Sequence, residues 1–203
     1  METPVITYAI IAFTALISFI GFNNADTINK LIFYPYEIKE KKEWFRFISH
    51  GLIHADFTHL LFNMLTLYFF GQYAELIFDK SLYIIFYVGG LIVASIPDYL
   101  KNKDNPNHRS LGASGAVAAV LAAVVIMNPW ATIYIKFIIP IPAILYLVIY
   151  IVYSAYMDKK GGDNIGHSAH MWGTIYGAVF TMAAKPELFK DFIYQLQHPH
   201  FNM

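Results

Sequence analysis

Long apolar runs separated by short polar clusters dominate this chain. A helix that crosses a bilayer needs about 20 mainly apolar residues. Six runs approach that length: Pro4 to Phe22, Phe57 to Phe78, Ser81 to Ile96, Ala113 to Met127, Lys136 to Tyr156 and Ile165 to Ala184. The pattern predicts an all-α membrane protein with six spans, forming one domain over residues 1–203. The fourth run is short and made of Ala, Gly and Val, so it belongs at the centre of the bundle, where small side chains let neighbours approach. Asn128-Pro129 ends it, Pro97 opens a polar loop that runs to Arg109, and Pro140 and Pro142 fall near the start of the fifth run. Asp158 to Asn164 reads as a flexible polar loop. Between the first two runs, Asn23 to Ala55 is too polar to span. It still carries Trp44, Phe45, Phe47 and Ile48, which predicts an ordered loop partly embedded at the interface. From Pro186 onward, Leu188, Phe189, Phe192, Ile193 and Leu196 recur at helical spacing, as in a helix lying on a membrane surface. The N-terminus lacks a basic stretch and a small-residue cleavage site, so the first run is expected to be a retained span.

Composition agrees with a membrane protein. Charged residues make up 14% of the chain, against roughly 25% in soluble domains. The formal net charge is zero and no basic patch stands out, so nucleic acid is not an expected partner. The chain has no cysteine, which excludes disulfides, thiolate metal sites and cysteine catalysis.

Polar side chains inside spans are costly and face the bundle interior or a water-filled cavity. Here they share one side. Loops after odd-numbered spans lie on the same side of the membrane. His59 and Asn63 on span two, Ser114 on span four, and His167 and His170 on span six all enter from it, roughly 5–10 Å below the helix ends. His59 and Asn63 are four residues apart and share a helix face. Ser114, Ala118 and Ala122 form one stripe, and His170, Gly173 and Gly177 another. Packed backbone to backbone, these stripes bring His170 within reach of Ser114. A serine hydroxyl becomes a competent nucleophile when a neighbouring base takes its proton. With no Asp or Glu on spans four or six, the economical arrangement is a Ser114–His170 dyad. Asn63, His59 and the Ser114 backbone N–H are candidate oxyanion donors.

Taken in order, these pieces carry a specific resemblance. His59-Leu60-Leu61-Phe62-Asn63, Gly112-Ala113-Ser114-Gly115 and Ala169-His170-Met171-Trp172-Gly173 with Gly177 stand on spans two, four and six. They follow Arg46-Phe47-Ile48-Ser49-His50 and His54 in the first loop, and Gly71 with Glu75 on span two. The chain resembles the rhomboid family of intramembrane serine proteases in its minimal six-span, bacterial-type form, over roughly Trp44 to Gly177. The resemblance implies a rhomboid bundle with an embedded first loop. It implies Ser114 as nucleophile, His170 as general base, and Asn63 and His59 in the oxyanion hole. His50 and His54 match positions that structure this region, Phe62 an aromatic position near the substrate gate, and Arg46 the arginine of a Trp-Arg pair. Gly112, Gly115, Gly173, Gly177 and Glu75 are read as structural support. The implied partners are transmembrane protein substrates and the lipid bilayer, with no cofactor and no metal.

Two departures stand out. Phe45 separates Trp44 from Arg46, so the Trp-Arg pair is imperfect. Ala118 stands where some members have a ring packed on the catalytic histidine, so either Trp172 or a tyrosine of span five takes that task or the histidine is held less firmly. Two other readings stay open at this point. One is a catalytically inactive relative that binds membrane helices. The other is a metal site on His50, His54 and His59. His167 is expected to be structural or cavity-lining, and His198 and His200 to be tail residues. Substrate entry is expected near span five and the Gly161-Gly162 loop. Orientation is in conflict. Lys30, Lys39, Lys41, Lys42, Arg46, Lys101, Lys103, Arg109, Lys159 and Lys160 lie on the odd-loop side, and only Lys80, Lys136, Lys185 and Lys190 on the other. The positive-inside rule puts the odd loops in the cytoplasm. The family resemblance puts the active site outside a bacterial inner membrane, and that orientation is the one expected here.

Overall fold

The computed structural model describes residues 3–135, 138–161 and 166–199. Its elements are α1 (Val5–Phe22), α2 (Ala25–Leu31), α3 (Pro35–Lys41), α4 (Arg46–Ser49), α5 (Phe57–Thr66), α6 (Gln72–Ile77), α7 (Lys80–Asn102), α8 (Ser114–Met127), β1 (Thr132–Ile135), β2 (Ile139–Pro142), α9 (Ala143–Lys160), α10 (His167–Ala184) and α11 (Pro186–Gln197). A 3-10 turn, His50–Leu52, follows α4, and a π-helical turn, Leu67–Gly71, joins α5 to α6 into one bent rod. The helical expectation therefore holds for most of the chain. By length and apolarity alone, α1 and α7 among the described residues suffice to cross a membrane.

α8 is the axis of the bundle. Every residue from Gly115 to Ala123 is buried, so the helix is apolar all round. Close approach explains its composition. A Cβ at Gly173 of α10 would lie 2.1 Å from the Gly115 carbonyl oxygen, and one at Gly177 would lie 2.3 Å from that of Ala119. The two backbones touch there, and only glycine permits it. The stripe that meets α10 is therefore Gly115 and Ala119, one residue on from the expected Ser114, Ala118 and Ala122. Ser114 and Ala118 are turned to a cavity instead, and Ala122 packs in a cluster with Ala143 and Leu147 of α9.

Several expected boundaries move. The fifth helix starts at Ala143; the preceding residues form an antiparallel hairpin with Ile133 opposite Ile141 and Ile135 opposite Ile139, a departure from an all-α chain. Pro140 and Pro142 deny this segment helical N–H donors, and its β-branched residues suit a strand. Lys136 and the start of the sixth run at Ile165 lie outside the described residues. Pro97 does not end α7, which continues to Asn102. Tyr99 of the extra turn packs at a tilt against Phe47 and Trp44, and the Asn102 amide donates to the Asp98 carboxylate at 2.6 Å. Packing overrides the lost hydrogen bond. α7 begins at Lys80 because Asp79 caps it, accepting the Leu82 N–H at 2.9 Å.

The first loop is built around Arg46, which is buried. Its guanidinium donates to the carbonyls of Asn29 (3.0 Å) and Ile32 (2.8 Å) and to the carboxylates of Glu37 (2.9 Å) and Glu43 (2.6 Å). Lys41 holds the Glu37 carboxyl below the ordinary carboxylate range, with Arg46 adding to the effect. The loop is ordered, while Trp44, Phe45 and Ile48 remain exposed on its outer face.

Candidate active site

Ser114 is the first residue of α8, not one turn inside it. The chain enters through Gly112 at φ +114°, a conformation that favours glycine. A side chain there would also strike His59, whose Cε1 lies 2.6 Å from an added Cβ. Two first-loop histidines hold this turn. The His50 carbonyl accepts the Gly112 N–H at 2.9 Å, and its Nδ1 lies 3.2 Å from the Gly112 carbonyl, to which it donates. His54 Nε2 accepts the Ala113 N–H at 3.4 Å. The Nδ1 of that neutral ring then carries the proton and donates to Ser18 Oγ at 3.0 Å, while Ser18 donates to the Leu52 carbonyl. Ser95 Oγ, 3.1 Å from His50 Nε2, completes the set. Burial pushes the His50 imidazole down to about 4 and that of His54 to about 3, so both are neutral near pH 7. The polar loop before the turn is fixed as well. Phe33 and Ser110 exchange backbone hydrogen bonds, and Asp98 accepts from Ser110 and His108.

The cavity that opens over Ser114 measures about 1040 Å³. Ser114, His170, His59, Asn63, Phe62 and His167 all line it, so the residues singled out on spans two, four and six share one space. α8 enters the cavity with no side-chain cap, leaving its first N–H groups without such an acceptor. Asn63 spends one amide hydrogen on the His59 carbonyl, at 2.9 Å, and retains a second. Asp56 caps α5 by accepting the His59 N–H at 2.8 Å, and the His59 ring meets that of His54 edge-on at 4.9 Å.

The ring that packs on His170 comes from α9. Tyr150 of α9 stacks on His170 with centroids 5.6 Å apart and planes 21° apart, and Tyr146 stacks on Tyr150 at 5.9 Å and 12°. His167, buried at the start of α10, lies between Tyr153 and His170, edge-on to both. Phe62 is exposed on α5 at the cavity wall. Tyr146 and Tyr150 line the cavity on the α9 side.

Other predicted positions lie apart from the cavity. Glu75 accepts the backbone N–H of Ile6 (3.0 Å) and Thr7 (2.8 Å) and the Thr7 hydroxyl (2.8 Å), tying α6 to the start of α1. Arg46 stays within the first loop. His198 stacks on Tyr194 in the tail, and His200 lies outside the described residues. Gly161, at φ +62°, ends α9, and among the described residues nothing lies within 4 Å of a Cβ added there; Gly162 also lies outside the described residues. Among the described residues no three His, Asp or Glu side chains are gathered as a metal site requires. Sequence reasoning missed Ser18, Ser95 and the uncapped start of α8. Ser18 shares its apolar run with Thr7 and Thr14, so its hydroxyl alone did not single it out.

Comparison with known proteins gives the family. A family model for the rhomboid domain matches residues 41–186. Rhomboid protease GlpG of Haemophilus influenzae is 29% identical over 163 residues, covering 79% of this chain and 79% of that protein. Putative rhomboid protease YdcA of Bacillus subtilis is 34% identical over 85 residues, 42% of each. RHOMBOID-like protein 12, mitochondrial, of Arabidopsis thaliana is 29% identical over 147 residues, 65% of this chain and 44% of that protein. The chain thus spans less than half the length of the latter two relatives. The matched stretch takes in the end of the first loop, from residue 41, and α5, α7, α8, α9 and α10, whose residues line the cavity, and on that ground the chain belongs to the rhomboid family of integral membrane proteins.

Proposed function

We propose that this protein is an intramembrane serine endopeptidase that cleaves transmembrane segments by a Ser114–His170 dyad. The observation that carries the reading is the shared cavity, in which Ser114, His170, His59 and Asn63 meet while Tyr150 stacks on His170. The six spans are α1, α5 with α6, α7, α8, α9 and α10. α8 has 14 residues and is about 21 Å long, short of the roughly 30 Å hydrocarbon core. Ser114, at its end, is therefore sunk below the membrane surface and reached by water through the cavity.

Ser114 Oγ attacks the scissile carbonyl carbon as His170 takes the hydroxyl proton. The oxyanion is received by N–H groups at the start of α8, with the Asn63 amide and His59 beside them. The helix N-terminus adds its positive potential at this point. Collapse breaks the C–N bond, and the protonated His170 gives its proton to the leaving amine. A cavity water, deprotonated by His170, then attacks the acyl-enzyme and releases Ser114. Each well-aimed oxyanion donor contributes about 3–4 kcal/mol. Substrates enter between α5, at Phe62, and α9. The active site faces outside, as in the family orientation.

The test is labelling of detergent-purified protein by a fluorophosphonate, with cleavage of a spanning-helix substrate as the second readout. Wild type is expected to be labelled at Ser114 and to cleave; Ser114→Ala and His170→Ala are expected to do neither. Cleavage that persists in Ser114→Ala overturns the dyad. Absence of both labelling and cleavage in wild type leaves helix binding without catalysis. Reporter fusions at the C-terminus test the orientation; a C-terminus found outside overturns it.

A further inference from the structure

The hairpin and the start of α9 present an apolar surface, and the outer edge of β2 within it lacks hydrogen-bond donors. Ala143 N–H bonds the Ala131 carbonyl at 2.8 Å, and the ladder continues with Ile141 opposite Ile133 and Ile139 opposite Ile135. In an antiparallel pair the residues alternate between facing the partner strand and facing away with their backbone groups. Positions 140 and 142 are the ones that face away, and both are proline. The outer edge of β2 thus carries carbonyls but no N–H at either position. The Ile144 N–H is bound to the Pro129 carbonyl at 2.9 Å, so the first two donors of α9 are engaged as well. An edge bathed in water has no need of this. An edge beside hydrocarbon does, because an unsatisfied donor there is costly.

The side chains tell the same story. Tyr134 is 59% exposed, Ile139 57% and Ile138 78%. This surface runs on into the exposed belt of α9, formed by Leu145, Val148, Ile149 and Val152. The base of the hairpin is pinned to protein. Trp130 Nε1 donates to the Gln195 carbonyl at 2.6 Å, and the Gln195 side chain donates to the Met127 carbonyl at 3.2 Å. We propose that β1–β2 is an interfacial anchor seated in lipid at the headgroup–acyl boundary, on the side opposite the cavity, where it fixes the starting end of α9. The outward carbonyls at 140 and 142 set the depth, since water at that boundary still serves them. A second copy of the chain is the poorer occupant: a strand added to β2 would meet an edge lacking donors. The inference rests on membrane insertion and is independent of the reaction catalysed.

The chain has no cysteine, so Ile138→Cys accepts a single environment-sensitive fluorophore. Asn105→Cys, in the polar loop before Ser114, and Val152→Cys, on the α9 belt, serve as references. All three are reconstituted in phosphatidylethanolamine–phosphatidylglycerol vesicles. Quenching is read with nitroxide-bearing lipids and with aqueous iodide. The label at 138 is expected to be quenched roughly twofold by the lipid nitroxide, as at 152, and far less by iodide than the label at 105. Iodide quenching equal to that at 105, without lipid quenching, puts the hairpin in water and overturns the proposal. Protection from both quenchers, lost on dilution with lipid, identifies a contact between copies and overturns it equally.

Discussion

The contact between α8 and α10 predicts the effect of adding one methyl group at Gly173. A Cβ there would sit 2.1 Å from the Gly115 carbonyl oxygen and 2.8 Å from its carbon, whereas ordinary contact begins at 3.4 Å. The obstruction is backbone, so no rotamer relieves it, and α10 must retreat from α8 by about 1 Å. Overpacking of this kind costs about 1–3 kcal/mol. His170 lies one turn away on the same helix and moves with it. A displacement near 1 Å at reacting groups lowers the rate by about 10²-fold. Gly173→Ala is therefore expected to remain folded with a lowered melting temperature, and to lose about 10²-fold in kcat/KM on a spanning-helix substrate. Gly166→Ala is the control, since the nearest atom to its added Cβ lies at 3.9 Å. Both are assayed in detergent by thermal unfolding and by initial rates. A Gly173→Ala protein with wild-type rate and stability would show that this backbone contact does not set the distance from His170, the proposed base, to Ser114.

Three further outcomes are expected. Tyr150→Ala removes a stacking contact of about 0.5–1.5 kcal/mol and is expected to lower kcat roughly tenfold, with Tyr150→Phe near wild type; equal losses in both variants would assign the role to the hydroxyl. His50 and His54 have folded-state values near 4 and 3, below the unfolded value of 6.5, so the unfolded chain takes up protons first as pH falls. Their contribution is complete above about pH 6.5 and is lost towards pH 4, on the order of 3 kcal/mol for each ring. Melting temperatures between pH 7 and 4.5 should drop accordingly, with a shallower slope in His54→Gln; a flat profile contradicts the assignment. Glu75→Ala leaves two α1 N–H groups and a hydroxyl without their acceptor and is expected to destabilise by about 2 kcal/mol, while Glu75→Gln costs less. Unfolding in detergent checks both variants.

Much of the bundle was legible because apolar run length and small-residue content are local properties. Topology alone then put His59, Asn63, Ser114 and His170 on one side, and they line one cavity. What escaped depends on partners distant in sequence. Pro97 reads as a helix stop until Tyr99 finds Phe47. The run from Lys136 reads as helix until two prolines are seen to face outward from a strand pair. The stacking ring was narrowed to Trp172 or a tyrosine of span five, but four tyrosines there share similar surroundings in the sequence. Only the rotation of α9 selects Tyr150. The stripe on α8 was misjudged by one residue because period and composition fit Ser114-Ala118-Ala122 as well as Gly115-Ala119.

The bonds that join Ser18 to His54, and His54 to the Ala113 N–H, reach back beyond the stretch that the family model matches. That stretch begins at residue 41, yet Ser18 is in α1, as are Ile6 and Thr7, which satisfy Glu75. A chain begun at residue 41 would keep every residue proposed to touch substrate. It would lose the hydroxyl that orients His54 and the donors that satisfy the half-buried Glu75 carboxylate. The first helix therefore folds as one cooperative unit with the matched stretch, and the turn that presents Ser114 is finished only when α1 has docked.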